Sequence, residues 1–143
     1  MVNEENSGSP FKQWHKGLDL AKGEWIWIAE SDDGCYKTML DELISTTANG
    51  SSIAFCRSEV IDREGKATIS LWQDELTEPF NISGLEFIFN YLGSKCIIMN
   101  ASSAIFRKEH ALSIPNDYMD YKSAGDWLFW IYMSQCGNVA YTN

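Results

Sequence analysis

Phe11, Trp14, Leu18 and Ala21 recur at three- and four-residue steps, which predicts an amphipathic helix from Phe11 to Lys22, ended by Gly23. The pattern then changes period. Trp25-Ile26-Trp27-Ile28 is an unbroken run of aromatic and β-branched residues, which predicts a strand buried on both faces. Gly34 breaks it, and Tyr36, Met39, Leu40, Leu43 and Ile44 make a second helical stripe, closed by the loop Ala48-Asn49-Gly50-Ser51. Ile53 to Ile61 predicts a strand, Asp62 to Lys66 a hairpin turn with Gly65 at the bulge position, and Ala67 to Trp72 the returning partner strand. Gln73 to Ile82 is polar and contains Pro79, so a surface loop is expected. Ser83 stands where an N-cap belongs, with Glu86 as its capping-box partner, ahead of a helix from Gly84 to Leu92 that Gly93 stops. Ile97 to Met99 and Ala104 to Phe106 are short strand candidates, Arg107 to Leu112 a helical turn, and Ile114 to Ser123 a loop. From about Asp126 to Cys136 the chain is apolar almost all round, which predicts a buried helix ended by Gly137. Val139-Ala140-Tyr141 begins a last strand.

Helices alternating with strands predict an α/β domain, and the hairpin makes its sheet mixed rather than purely parallel. The 143 residues fit one domain, 1–143, and 45% hydrophobic residues suffice for a core. No repeat or low-complexity run is visible. The acidic start, Met1 to Asn6, resembles neither a signal nor a basic transit peptide, and no apolar stretch is long enough to span a membrane. A net charge of −9 would repel phosphate backbones, so nucleic acid is not an expected partner. An acidic chain that handles a phosphorylated ligand needs a cation as bridge. Cys35, Cys56, Cys96 and Cys136 are too widely spaced for a zinc cage, so buried thiols in a reducing cytosol are expected. The sequons at Asn81 and Asn100 carry little meaning without a secretion signal. Both ends are abrupt, and a fragment of a longer protein is expected.

Two acidic constellations carry candidate chemistry. In Glu30-Ser31-Asp32-Asp33, three carboxylates fall within four residues where the apolar strand would end. Ligand sites in open α/β sheets lie beyond the carboxyl ends of strands, and clustered carboxylates suit a hard divalent cation. The alternative is that Ser31, Asp32 or Asp33 only caps the next helix. In Ala124-Gly125-Asp126-Trp127, Asp126 immediately precedes the buried helix, where the dipole and free N–H groups favour a negative charge. It is an N-cap or a general base, if a hydroxyl reaches it. Trp127 and Trp130, three apart, are core residues or a flat face for a sugar ring. His15 and His110 stand alone, so a hydrolase triad has no support, and neither a G-x-G-x-x-G nor a P-loop is present.

The stretch from Asn6 to Trp14, then Lys16-Gly17-Leu18-Asp19-Leu20-Ala21-Lys22-Gly23-Glu24-Trp25-Ile26-Trp27-Ile28 and Glu30-Ser31-Asp32-Asp33, resembles the middle of a family 2 glycosyltransferase. Asn100-Ala101-Ser102-Ser103-Ala104-Ile105-Phe106-Arg107 resembles that family's acceptor-side strand, and Ala124 to Trp130 its segment with the catalytic base. The resemblance implies a three-layer GT-A (nucleotide-diphospho-sugar transferase) fold with a mixed sheet flanked by helices. It implies inverting transfer of a sugar from a nucleotide-diphosphate sugar to a hydroxyl of a glycan or lipid-linked acceptor, in bacterial surface polysaccharide or glycoconjugate synthesis. Asp32 and Glu30 would hold a divalent metal (Mn or Mg), with Asp33 beside them on the donor, and Asp126 would deprotonate the acceptor. Trp127, Asn100 and Ser102 would line the acceptor side. A cytoplasmic location, membrane-associated in the parent protein, follows from the same likeness. Three features depart from the family: Glu30 stands where many members have Asp, the Q-x-x-R-W signature of processive enzymes is missing, and so are the first nucleotide-binding strands. The expectation is therefore a domain truncated at its N-terminus that self-associates through an exposed sheet edge near Trp25 to Ile28. The alternative is a non-catalytic sugar- or partner-binding module that keeps the fold.

Overall fold

Strict alternation along the strands sorts the apolar side chains onto two faces of one sheet. Ile26, Ile53, Phe55, Ala104, Phe106, Val139 and Tyr141 join one buried cluster, while Ala54, Ile105 and Ala140, with Trp25 and Trp27, join another on the opposite side. A computed structural model of the chain describes residues 7–48, 50–68 and 73–143. Its strands are β1 (Trp25–Trp27), β2 (Ser51–Cys56), β3 (Phe80–Ile82), β4 (Ala104–Arg107) and β5 (Asn138–Thr142), in the order β1-β4-β2-β5-β3. Only β2 and β5 run parallel; the other pairings are antiparallel. The fold is thus an α/β one with a mixed sheet.

Helices α1 (Pro10–Leu20), α4 (Lys108–Ser113) and α5 (Gly125–Gln135) put Phe11, Trp14, Leu18, Ala111, Phe129 and Trp130 into the larger cluster. Helix α2 (Met39–Thr46) covers the other face with Met39 and Leu43. The larger cluster is dense in rings: Phe129 meets Trp14, Phe106, Tyr118 and Trp130 with centroids 5.0–5.7 Å apart, mostly edge to face. Close approach also demands small residues. A Cβ on Gly84 would lie 1.6 Å from the Ser134 carbonyl oxygen, and one on Gly125 2.4 Å from that of Tyr118.

Several expected elements form as the periodicity predicts. The first helix ends two residues earlier, because Ala21 turns extended and donates its N–H to the Gly17 carbonyl at 3.0 Å, so the stop comes before Gly23. Ser83 Oγ accepts the Glu86 N–H at 3.3 Å and starts α3 (Gly84–Phe87), which continues as a π-turn over Ile88–Leu92.

Other expectations are corrected. The Trp25-to-Ile28 run is not a central strand buried on both faces. It is a three-residue edge strand in which only Ile26 is buried, since an apolar run alone does not say whether a second neighbour exists. Arg107 sits over the half-buried Trp25 ring at 4.8 Å and pairs with Glu24. The strand expected to reach Ile61 ends at Cys56. Beyond it the chain is largely exposed, and the turn with Gly65 (φ 76°) is closed by one bridge between Ile61 and Ala67. Most of the returning strand, residues 69–72, lies outside the described residues. Gln73 to Ile82 is not a plain surface loop: Gln73 is fully buried, Leu76 nearly so, and the stretch ends in β3. A buried amide is tolerated there because Gln73 Oε1 accepts the Ser58 N–H at 2.7 Å and Nε2 donates to the Ile97 carbonyl at 3.0 Å. Ile97 to Met99 forms no strand, although Ile97 and Ile98 are core residues. Nor are all four thiols buried: Cys35 is exposed and the others are partly buried. Among the described residues no helix is long and apolar enough to cross a membrane.

Candidate acidic site at the end of the edge strand

Neither acidic constellation caps a helix. After Glu30 the chain stays exposed through Thr38, and α2 begins only at Met39 behind Thr38, whose side chain makes no capping bond. The residue ahead of α5 is Ala124, held left-handed at φ 59°, which places Asp126 second in the helix. The capping alternatives fail for a local reason: the chain reaches each helix start with a different residue in the cap position.

The fold brings distant segments together around Glu30. Its backbone N–H donates to Ser102 Oγ at 2.9 Å, and the Trp27 indole N–H donates to the Ser102 carbonyl at 2.9 Å. Ser102 lies in the 3-10 turn Ala101–Ser103 that leads into β4, so the pairing of β1 with β4 is what aligns the two. The Glu30 carboxyl is pushed above its ordinary range, first by burial, then by the charges of Asp33 and Asp32, while a hydrogen bond from the Ala101 backbone works the other way; the charge of Asp126 adds to the rise. The charge of Asp126, 96 positions along the chain, is the weakest of these influences on Glu30. It also acts on Cys96, whose thiol is pushed up to about 12, mainly by burial.

Asp32 and Asp33 are exposed, and the Asp33 N–H returns to the Glu30 carbonyl at 3.3 Å, closing a turn. Asn100 is less available than expected. Its Oδ1 caps the turn by accepting the Ser103 N–H at 3.0 Å and also accepts from Ser58 Oγ at 3.3 Å. Trp127 is half-buried and donates its indole N–H to the Leu92 carbonyl at 3.0 Å, and Trp130 is wholly buried, so this pair forms no open sugar platform. Ser58 was not singled out in the sequence; its partners, Gln73 and Asn100, lie 15 and 42 residues away, and no local signal marks it.

An all-oxygen set suits a hard cation. Among the described residues no three His, Cys, Asp or Glu side chains gather closely enough to hold one unaided. A cation of the Mg type commonly takes only one or two carboxylates and completes its shell with phosphate oxygens and water, which the Glu30–Asp32 pair fits. An open groove of about 600 Å³ runs between α1 and β1, lined by residues that include Trp14, Leu18, Ile26 and Ile28, and ends at Glu30. No protein-family model matches this sequence, and no curated protein shows a match to it.

Proposed function

We propose that the domain is of glycosyltransferase type and transfers a sugar from a nucleotide-diphosphate sugar to an acceptor hydroxyl with inversion. The observation that carries this is the meeting of Glu30 and Ser102, 72 residues apart in sequence, through one hydrogen bond. The resemblance assigns donor and acceptor roles to those same segments. In the transfer the bond from the anomeric carbon to the phosphate oxygen breaks, the bond to the acceptor oxygen forms, and the acceptor proton goes to the Asp126 carboxylate. Glu30 and Asp32 would hold a divalent metal, which neutralises charge on the leaving diphosphate. Asp33 adds negative charge beside them, and Ser102 fixes the backbone at Glu30.

Calorimetric titration of the chain with UDP and other nucleoside diphosphates, with and without Mn²⁺, tests the donor half. Metal-dependent binding that Asp32→Asn removes is expected; no binding under any metal overturns the donor role of the acidic turn. The second reading is a non-catalytic sugar- or partner-binding module that keeps the fold; the engagement of Asn100 and Trp127 in structural hydrogen bonds counts against their acceptor-side roles in the first reading. Glycan binding without nucleotide or metal dependence would select it.

A further inference from the structure

We infer that Ser102 and Trp27 are positioning residues that fix Glu30 and the acidic turn, with the Ser102 hydroxyl committed to that bond and not to an acceptor. The inference rests on the donor role proposed above for the turn. Its basis is the way the ladder between β1 and β4 ends. Trp25 pairs with Arg107, Ile26 with Phe106 and Trp27 with Ile105. Continued three residues, this register sets Glu30 opposite Ser102. The hydrogen-bond phase agrees. The Lys108 N–H donates to the Glu24 carbonyl at 2.9 Å, so even-numbered residues of this stretch turn their backbone groups to β4. A ladder continued to Glu30 would send its N–H to the Ser102 carbonyl. That carbonyl instead accepts the Trp27 indole N–H at 2.9 Å, because Ala101–Ser103 coil into a 3-10 turn. The Ser102 hydroxyl takes over and accepts the Glu30 N–H at 2.9 Å. A side chain thus completes the pairing where the backbone has turned away.

Both residues are needed for this exchange. Trp27 satisfies the carbonyl that has left the ladder, and Ser102 satisfies the N–H that the carbonyl abandoned. Ser102 is itself buried, so its hydroxyl is not an open group beside the site. The turn is braced from the far side, where β2 lies next to β4. Cys56 Sγ donates to the Ser103 carbonyl at 3.5 Å, and Asn100 Oδ1 accepts the Ser103 N–H. The Ala101 backbone in return bonds the Glu30 carboxyl. Partners of this kind set where a metal-ligating carboxylate points, and their loss typically costs about 10- to 100-fold in metal affinity.

Calorimetric titration of the chain with UDP and Mn²⁺, beside hydrogen exchange at the Glu30 amide, tests this. Ser102→Ala should speed exchange at Glu30 and weaken Mn²⁺-dependent UDP binding about tenfold. Ser102→Thr keeps the hydroxyl and should restore both. Trp27→Phe keeps a ring in the cluster beside Met39 and should weaken binding less. Because Trp27 acts through Ser102, adding Trp27→Phe to Ser102→Ala should cost little more. Unchanged UDP binding in Ser102→Ala overturns the inference and leaves the donor role standing. A loss that Ser102→Thr leaves in place, or additive losses in the double variant, overturn it equally. Should Ser102→Ala fail to fold, Trp27→Phe decides: weaker binding with faster Glu30 exchange supports the inference, and unchanged binding overturns it. No binding by the unaltered chain overturns the donor role and the inference together.

Discussion

The aromatic cluster beneath α1 and α5 and the acidic turn after β1 lie at opposite ends of the packing scale. Around Phe129 every ring is enclosed by others, and glycines at 84 and 125 let backbones touch. From Ser31 to Thr38 every residue is exposed, and the candidate chemistry begins there. The contrast teaches that packing is divided unevenly here: the core fixes where β4 stands, and the 3-10 turn leading into it brings Ser102 to a segment with almost no packing of its own.

The sharpest way to break that contrast is to cut each region equally. Phe129→Ala should lose about 3–5 kcal/mol in urea denaturation, and Tyr36→Ala, at an 84% exposed ring, about 0.5 kcal/mol or less. Gly84→Ala should cost about 3 kcal/mol, because a 1.6 Å approach to backbone cannot be relieved by a rotamer change. Equal losses at Phe129 and Tyr36 would mean the turn is part of the folding core.

Asp126→Asn should act in the reverse sense. On the proposed function it lowers kcat by about 10²–10⁴-fold. Unfolding stability in urea should change by about 0.5 kcal/mol or less, since among the described residues the Asp126 carboxylate accepts no hydrogen bond that supports the helix start. Steady-state turnover paired with denaturation reads both; retained turnover removes Asp126 from the chemistry.

Smaller effects sharpen the comparison inside each region. The Tyr118 hydroxyl is buried with no partner among the described residues, and burial pushes its pKa up to about 12. Tyr118→Phe should therefore gain about 1 kcal/mol by removing an unsatisfied group. Ala124→Gly should gain about 1 kcal/mol by relieving the left-handed backbone beside Asp126.

The smallest effect is electrostatic. Glu30 binds its proton more tightly folded than unfolded, so its ionisation works against folding. That contribution is absent in acid and grows as pH rises from the ordinary carboxylate range through the raised folded value. Glu30→Gln should flatten this fall in a series of melting curves against pH. Parallel curves for the two proteins would show that neither burial nor the neighbouring carboxylates raise the Glu30 carboxyl.

Much of the fold was legible because local and tertiary demands agreed. Helix α5 is apolar almost all round and buries Phe129, Trp130 and Met133, and Ser83 caps α3 as its position predicts. What failed had no local signature. Gln73 reads as surface, yet partners from Ser58 and Ile97 satisfy its amide in the core. The Trp25-to-Ile28 run reads as central, yet lies at the edge. Of the candidate site, the positions of the carboxylates were legible; the structural duties of Asn100 and Trp127 were not, since they depend on Ser58 and Leu92.

The sequence by itself determined the helical stripes, the strand alternation and the two acidic stretches, because periodicity and charge are local properties of the chain. Only the tertiary structure decided that β1 is an edge, that Ser102 meets Glu30 and that neither acid cluster is a cap. Those outcomes depend on the β1–β4 register and on where α5 docks, which are set by packing among residues far apart in sequence.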